Sequence, residues 1–375
     1  MNLVNTSTPA NIYSKENLLF EAENGKVDFQ MNFLLKSFRD FDLPNDGEAM
    51  LRLGGDLSVR YYPWQLLDGK LRPLAGVSFN SMNLSLGSET QEKRYDLFIT
   101  SSLLGGFSVM KNNWQINAEV MYLPQNKRKF YSDQQQVHTF QLPQAYFSAG
   151  LVKYFDTTLR EEQPKLSGKT ALLENKLFAD GKLNSLSIGI APSASYFLKS
   201  PEFSENWQSL PNHKASFNWD IGLGYLHHKA NLHIGLSYRS YASNVVSYGL
   251  EHILRRQSLA LEATKFVWNY NGFVPFCGVS LSAERWAAGA FIGDVQQGET
   301  TRSSMLSPGI IFGWDIVPSP LETWVLRTNL RYYPSQKIKD VQGKSSRIDQ
   351  FEFNFIQFVF YPNRWMQVRK AKRDF

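Results

Sequence analysis

The chain has 375 residues, of which 43% are hydrophobic, and a formal net charge of +6. Its mean hydropathy is −0.33. No stretch approaches the roughly 20 consecutive apolar residues of a spanning helix, so a helical membrane protein is excluded. A membrane β-barrel is not excluded, because only every second residue of its strands meets lipid.

The aromatic content favours a barrel. The chain contains 27 Phe, 17 Tyr and 9 Trp residues, 14% of the total. A membrane barrel uses aromatic side chains both on its lipid face and in girdles at the two interfaces. The single cysteine, Cys277, excludes an intramolecular disulfide and a cysteine-based metal site.

The N-terminus has neither the basic nor the apolar region of a signal peptide. Because the strand pattern that follows requires export, we expect that a signal peptide has been removed. Residues 1–26 are predicted to form a periplasmic or plug segment, and residues 27–361 the transmembrane barrel.

A period of two recurs through residues 27–361. Between Trp114 and Tyr122, apolar residues alternate with Gln115, Asn117 and Glu119. The same alternation occurs between Leu186 and Leu198. The opposite face carries small polar residues and single charges, which are typical of a barrel interior rather than of a water-facing sheet. A soluble all-β binding protein is the alternative.

The segments predict an all-β fold, a transmembrane antiparallel up-and-down β-barrel of 14 to 16 strands. The candidate strands are 27–37, 48–62, 73–87, 93–109, 114–124, 143–156, 184–198, 217–226, 232–241, 243–253, 256–269, 273–284, 287–296, 305–318, 322–334 and 350–361. Residues 157–183 do not fit a short turn, and 171–178 within them predict a short helix. We expect residues 125–142, 199–216 and 335–349 to be long outer loops.

Alternation also assigns side chains to the two faces. The predicted lumen-lining residues are Asn117, Glu119, Asn218, Asp220, Ser237, Arg239, Glu352 and Asn354. The predicted aromatic girdle consists of Tyr61, Tyr62, Trp64, Tyr332, Tyr333, Tyr361 and Trp365, all near strand ends, where ring bodies meet lipid and polar tips meet headgroups.

The last segment, from Phe351 to Tyr361, is the most aromatic of the chain. It resembles the C-terminal β-signal of bacterial outer-membrane proteins, which the barrel-assembly machinery reads. Beyond it, residues 362–375 contain Arg364, Arg369, Lys370, Lys372 and Arg373, and we expect a solvated basic tail. Without a folded basic face and aromatic platforms, no nucleic-acid binding is predicted.

One hairpin carries a more specific resemblance. The segment Asp220-Ile221-Gly222-Leu223-Gly224-Tyr225 and its continuation His233-Ile234-Gly235-Leu236-Ser237-Tyr238-Arg239 are similar to a hairpin of the PorP/SprF family of type IX secretion and gliding proteins. The overall pattern looks like the outer-membrane barrels of Bacteroidota. The resemblance implies a component of a secretion or envelope complex.

The same hairpin carries residue types that occur in hydrolytic enzymes. His227, His228, His233, Ser237 and Asp220 lie close in sequence, but nucleophilic catalysis needs a base in hydrogen-bond reach of the nucleophile. Two of these histidines fall in the turn, so we predict turn and lumen residues, with no catalytic residue. No phosphate-loop, dinucleotide or metalloprotease motif occurs, and no cofactor or metal is expected.

The sequence therefore predicts a barrel in the outer membrane of a Gram-negative bacterium, surrounded by membrane lipid and lipopolysaccharide. Mixed charge in the lumen favours internal ion pairing over a selective pore, since a selective pore concentrates one sign of charge. A structural or assembly role with other envelope proteins as partners is the leading hypothesis. A passive porin-like channel and a lipid-modifying enzyme remain alternatives.

Overall fold

The alternating segments form long antiparallel strands in a computed structural model of the chain. The structure describes residues 15–21, 27–34, 38–43, 47–64, 69–87, 94–112, 114–131, 137–153, 168–199, 210–269, 272–317, 321–339, 341 and 345–373. The chain divides into unit 1, residues 1–155, 203–212 and 245–251, and unit 2, residues 156–202, 213–244 and 252–375.

Unit 1 is built on one antiparallel sheet and a separate hairpin. Its strands are β1 (Lys15–Glu21), β2 (Val27–Leu34), β3 (Phe38–Leu43), β4 (Gly47–Tyr61), β5 (Leu71–Gly87), β6 (Arg94–Lys111), β7 (Trp114–Tyr122), β8 (Lys127–Tyr131), β9 (Val137–Gln141) and β10 (Ala145–Lys153). The sheet runs β1-β2-β4-β5-β6-β7-β10, and β3 also pairs with β4. The first and last strands of this path, β1 and β10, contact each other.

Unit 2 contains two helices and the remaining strands. These are α1 (Gly168–Ala179), β11 (Ser185–Lys199), β12 (Ala215–His227), β13 (Leu232–Ser247), β14 (Leu250–Phe266), β15 (Phe273–Ile292), β16 (Val295–Gln296), β17 (Thr301–Ile316), β18 (Trp324–Lys339), β19 (Ser345–Phe360) and α2 (Pro362–Arg373). A 3₁₀ turn, His228–Ala230, connects β12 to β13.

Eight strands of unit 2 close into a barrel. The sheet runs β14-β13-β12-β11-β19-β18-β17-β15, and β14 also pairs with β15, which completes the circuit. The β11–β19 ladder is offset between Ile190 and Ser193. Pro192 lies in this interval. Proline has no N–H to donate to a ladder, so it is tolerated where the regular pairing is already interrupted. A closed circuit leaves no unpaired sheet edge in this barrel.

Alternation places one set of side chains inside the barrel and the other on its wall. In β11, residues Ser185, Ser187 and Gly189 are buried, whereas Leu186, Ile188 and Ile190 are exposed. The pattern continues through β12, whose Phe217, Trp219, Ile221, Leu223 and Tyr225 are all exposed. The wall is apolar and the interior polar, as the period of two predicts.

Both helices of unit 2 lie at one end of the barrel, here called the helix end, where β11 begins and β19 ends. Leu173 and Leu177 of α1 pack in one cluster with Val368 of α2. Leu183 and Leu321, which lie just before β11 and β18, complete the cluster. The predicted helix at 171–178 is thus confirmed. Neither helix among the described residues combines the length and apolar character that a bilayer-spanning helix needs.

The fold class predicted from the sequence, an all-β antiparallel membrane barrel, is confirmed. Strand pairing adds a partition that the alternation did not contain, because eight strands close on themselves within unit 2. The alternation of a strand indicates which face each side chain occupies, but it does not indicate which other strand the strand pairs with.

Several predicted strand boundaries need correction. The candidate strand 243–253 spans the end of β13, the turn at Tyr248 and Gly249, and the start of β14. Both turn residues have positive φ, +48° and +81°, which is the geometry of a two-residue hairpin turn. The candidates 273–284 and 287–296 belong largely to one strand, β15. The predicted outer loop 335–349 is mostly strand, while most of 199–216 lies outside the described residues.

The terminal segments also differ from the prediction. β1 lies inside the expected N-terminal segment 1–26 but is paired with β2 in the sheet. The expected basic tail, 362–375, is helical through Arg373 and docked on α1. Amphipathic packing at Arg364 and Val368 was not visible in a segment that reads simply as basic.

Candidate functional site: the lumen of unit 2

The interior of the unit 2 barrel holds a network of ion pairs, here called the lumen network. Its members come from six different strands and are buried or nearly so. They are Asp220 on β12, Arg239 on β13, Arg256 and Glu262 on β14, Glu284 on β15, Arg331 and Tyr333 on β18, and Glu352 on β19.

Glu352 joins two arginines at the centre of the network. Its two carboxylate oxygens accept hydrogen bonds from Arg239 Nη1 and Arg256 Nη1. Arg256 also donates from Nε and Nη2 to the two oxygens of Glu284, each at 2.6 Å. A planar guanidinium forms such paired bonds with a carboxylate and is held in a fixed orientation by them.

Arg331 extends the network towards β12 and β14. It donates from Nε and Nη2 to the two oxygens of Glu262, at 2.7 and 2.9 Å. Its Nη1 lies 2.9 Å from Asp220 Oδ2, which also accepts from Asn354 Nδ2 at 2.6 Å. Tyr333 accepts a hydrogen bond from Arg239 Nη2 at 2.9 Å.

A further pair lies nearer the helix end. Arg327 donates to the two oxygens of Asp315, at 2.7 and 2.9 Å. Its guanidinium lies over the rings of Phe276 and Phe266, at 5.3 and 5.8 Å. With this pair, four arginines (239, 256, 327, 331) face five carboxylates (220, 262, 284, 315, 352), so the charges nearly balance.

Apolar clusters lie on both sides of this charged layer. At the helix end the cluster comprises Leu226, Phe266, Phe276, Ile311, Val325, Val359 and Tyr361. At the opposite end, the loop end, it comprises Phe197, Tyr241, Leu254, Trp286, Ala288, Ile338 and Ile348. An eight-stranded barrel has an interior just wide enough for side chains to fill, and here they fill it in three layers.

A histidine pair lies beside the loop-end cluster. His213 Nε2 is 2.9 Å from His252 Nδ1, and His213 Nδ1 is 2.8 Å from Ser243 Oγ. The His213 ring also packs near Phe197. Burial lowers the pKa of His213 well below its usual range. These groups add a polar contact to the apolar layer, but they do not form a passage through it.

A small cavity remains in the lumen between Ser187, His233, Glu262 and Gln357. Its volume is about 30 Å³, which is room for about two water molecules. Ser187 Oγ lies 2.8 Å from His233 Nε2. This is the spacing of a nucleophile and its base, but the cavity beside the pair is far too small for an acyl chain or a peptide.

The three hairpin histidines do not converge on Ser237. That hydroxyl donates to Glu262 Oε1 at 3.0 Å, while His233 contacts Ser187 instead. His227 Nδ1 accepts from the backbone N–H of Ala230 and so caps the turn. His228 packs edge-on against Phe178, and burial together with the charge of Arg364 lowers its pKa.

All eight residues predicted to line a lumen are buried. They are Asn117, Glu119, Asn218, Asp220, Ser237, Arg239, Glu352 and Asn354. Six lie in unit 2, and three of those belong to the lumen network. In unit 1, Glu119 accepts from Arg60 Nη2 at 3.0 Å.

The predicted girdle needs correction at three of its seven residues. Tyr61, Trp64 and Trp365 are exposed and Tyr332 is half-buried. Tyr62, Tyr333 and Tyr361 are buried, with Tyr62 donating to Asp28 Oδ2 at 2.6 Å. Consecutive strand residues point to opposite faces, so a Tyr-Tyr pair cannot place both rings in lipid.

Five of the eight members of the lumen network were not predicted to line a lumen from the sequence. Arg327, Asn329, Arg331 and Tyr333 alternate along β18 and share one face, a signal that was present. Glu284 was missed because residues 285–286 were interpreted as a turn. Arg256 and Glu262 lie on one strand at a spacing of six, which also places them on one face.

No protein-family model matches the sequence, and no curated protein sequence matches it. Among solved structures, the chain is similar to Neisserial surface protein A, with 16% identity, 48% of this chain and 97% of that chain covered, and a TM-score of 0.33. It is similar to Ail, the attachment invasion locus protein of Yersinia pestis, with 14% identity, 48% and 96% covered, and a TM-score of 0.31. It is also similar to the outer membrane protein OprG from Pseudomonas aeruginosa, with 8% identity, 48% of this chain and 92% of that chain covered, and a TM-score of 0.29.

The wall and the lumen of unit 2 define the class of protein. Its outer surface exposes large apolar side chains on every strand of the circuit, including Leu223, Leu259, Val279 and Phe312. A closed barrel with an apolar wall and a polar interior is the strand architecture that crosses a membrane. The chain is an integral β-barrel protein of the outer membrane of a Gram-negative bacterium.

Proposed function

We propose that this protein has a structural or assembly role in the bacterial envelope and that the unit 2 barrel does not conduct solutes. The observation that carries the proposal is the lumen network enclosed between two apolar clusters. Water and ions have no continuous polar path through such layers. A barrel filled in this way is a rigid membrane anchor for surfaces displayed at its two ends.

The burial of so many charged side chains in the lumen supports a structural role. Burying charges is unfavourable unless each finds a partner with good geometry. Here the partners come from six strands, so the ion pairs connect strands that are not neighbours in the sheet. Arg239 on β13 and Glu352 on β19, for example, are separated by β12 and β11 in the circuit. Such links fix the barrel cross-section.

Planar-bilayer recordings on the purified chain test the absence of a channel. We expect no large, steady conductance at neutral pH, with insertion verified separately by co-flotation of the protein with vesicles. A large, steady conductance from the inserted wild-type chain would overturn the proposal. A porin-like channel for small solutes would then be the better account.

Partner binding is proposed at the ends of the barrel. The hairpin similar to the PorP/SprF family is β12–β13, part of the wall of the filled barrel, and this resemblance supports membership of a secretion or envelope complex in a member of the Bacteroidota. Helix α1 displays Leu172, Asn175 and Lys176 to solvent. No enzymatic step is proposed, because the Ser187–His233 pair has no room for a substrate.

A photo-crosslinking residue placed at Asn175 tests this part of the proposal in intact cells. An envelope protein should be captured from Asn175, whereas the same probe at Ile188, on the lipid-facing wall, should capture none. If neither Asn175 nor probes in the loop-end connections capture a protein, the assembly role fails.

A further inference from the structure

Helix α2 begins directly after the last barrel strand and presents two different faces. Pro362 is its first residue, a position where the missing N–H is harmless. Arg364 and Val368 are buried, whereas Trp365, Met366, Arg369 and Lys370 are exposed. At 100° per residue the four exposed positions fall on one side of the helix.

The buried face fixes α2 in place. Arg364 donates to the backbone oxygens of Glu322 and Leu183, each at 3.1 Å. Its guanidinium lies 4.4 Å from the centre of the Tyr361 ring. Val368 packs in the cluster with Leu173 and Leu177 of α1. The direction of the exposed face is therefore set by contacts with the barrel.

The exposed face combines apolar and cationic side chains. Trp365 is 44% exposed and Met366 is 56% exposed, which is unfavourable for a helix face in water. The guanidinium of Arg369 lies 5.3 Å from the centre of the Trp365 ring. The helix has no acidic residue, and its sequence ends in Lys372 and Arg373. Basic side chains beside tryptophan are typical of a helix at a membrane interface.

This face continues the lipid-facing wall. Trp324 and Phe360 stack with their ring centres 4.4 Å apart at the last rung of the β18–β19 ladder. Trp324 is 58% exposed and Phe358 is 52% exposed. Only Tyr361 separates Phe360 from the helix, so the aromatic end of the wall passes directly into α2.

Because α2 lies at the end of the barrel opposite the predicted outer loop 199–216, the helix end is assigned to the periplasmic side. We propose that the exposed face of α2 binds the anionic phospholipid surface of the periplasmic leaflet. Trp365 and Met366 enter the headgroup layer, while Arg369 and Lys370 bind lipid phosphates. Each basic side chain near an anionic surface favours binding roughly fivefold. This surface is independent of the filled lumen, so the two proposals can fail separately.

Spin labelling of the full-length protein tests the proposal. A nitroxide is placed at Met366→Cys in a Cys277→Ala background, and the protein is reconstituted into phosphatidylcholine vesicles with or without phosphatidylglycerol. With phosphatidylglycerol we expect the label to gain oxygen accessibility and lose accessibility to a water-soluble nickel chelate. High salt, or the double substitution Arg369→Gln and Lys370→Gln, should reverse this change.

Two further labels serve as matched controls. A label at Leu223→Cys on the wall should be in lipid in both vesicles, and one at Leu172→Cys on α1 should be in water in both. If the label at 366 stays in water in both vesicles, the face belongs to a soluble partner and the proposal is overturned. Equal immersion in both vesicles would overturn the anionic selectivity.

Discussion

Glu352 is the residue on which the lumen network depends most. It accepts from both Arg239 and Arg256, and all three side chains are fully buried. Removing one member of a buried ion pair leaves an uncompensated charge, which is more costly than losing the attraction alone. Two arginines would be affected here by a single substitution.

We therefore expect Glu352→Gln to lower the free energy of unfolding by about 3–5 kcal/mol. Urea unfolding in detergent micelles, followed by tryptophan fluorescence, measures the change. Glu299→Gln is the control, because Glu299 is exposed in the connection between β15 and β17. Equal stability of the two variants would show that the network does not hold the barrel together.

Two equally exposed leucines are expected to face different surroundings, one lipid and the other water. Leu223 on the wall and Leu172 on α1 are each 61% exposed. A water-soluble protein would tolerate arginine at both. In a membrane barrel only the wall faces hydrocarbon, where arginine is unfavourable.

The expected result is that Leu223→Arg costs about 2 kcal/mol and that Leu172→Arg changes stability little. Unfolding in phospholipid vesicles compares the two variants. Similar losses at both positions would contradict the assignment of the wall to lipid.

At the scale of elements, the helices at the helix end are held by a few specific contacts. Arg364 bonds to two backbone oxygens from separate connections and stacks on Tyr361. Burial lowers its pKa, yet the group remains charged at neutral pH because arginine titrates far above it. The docking of α2 thus depends on one buried cation.

Replacing Arg364 with Met should release α2 while the barrel remains intact. We expect trypsin to cleave after Arg369 and Lys370 several times faster than in the wild type, as measured by mass spectrometry of timed digests. Lys176→Met, an exposed substitution on α1, is the control. Unchanged cleavage rates would indicate that Val368 and its apolar neighbours hold α2 without Arg364.

The sequence predicted the faces of the strands better than their limits. Ile188, Leu223 and Asp220 lie on the sides that alternation assigned to them, because side-chain direction is a local property of a strand. The turn at Tyr248 was missed, since a two-residue turn hardly interrupts the alternation. Arg285 and Trp286 were interpreted as a turn but continue β15, where Trp286 packs in the loop-end cluster.

The partners of buried charges were less predictable. Asp220, Arg239 and Glu352 were assigned to a lumen, but their mutual contacts depend on which strands meet across it. Glu352 and Arg239 are 113 residues apart. Pairing over such a distance is set by the closure of the barrel, and the alternation of a single strand holds no information about it.

At the scale of the whole molecule, the closure of eight strands into a small barrel accounts for the contacts among its interior side chains. A small barrel brings its interior side chains within contact distance of one another across the lumen. The eight-strand circuit of unit 2 therefore explains why arginines and carboxylates from strands that are not adjacent can pair. If these strands were part of a wider barrel, the same side chains would be separated by water.

The central claim is that β11 and β19, the first and last strands of the unit 2 circuit in chain order, pair with each other, and a disulfide tests this pairing most directly. Ile190 and Phe358 are paired across this seam and are both exposed on the wall, and paired strand residues lie within the Cα separation that a disulfide spans. In a Cys277→Ala background, Ile190→Cys with Phe358→Cys should form an intramolecular disulfide that changes gel mobility until it is reduced. Ile190→Cys with Leu259→Cys, on β11 and β14, should form none. No disulfide in the first variant, or equal yields in both, would contradict the eight-stranded barrel.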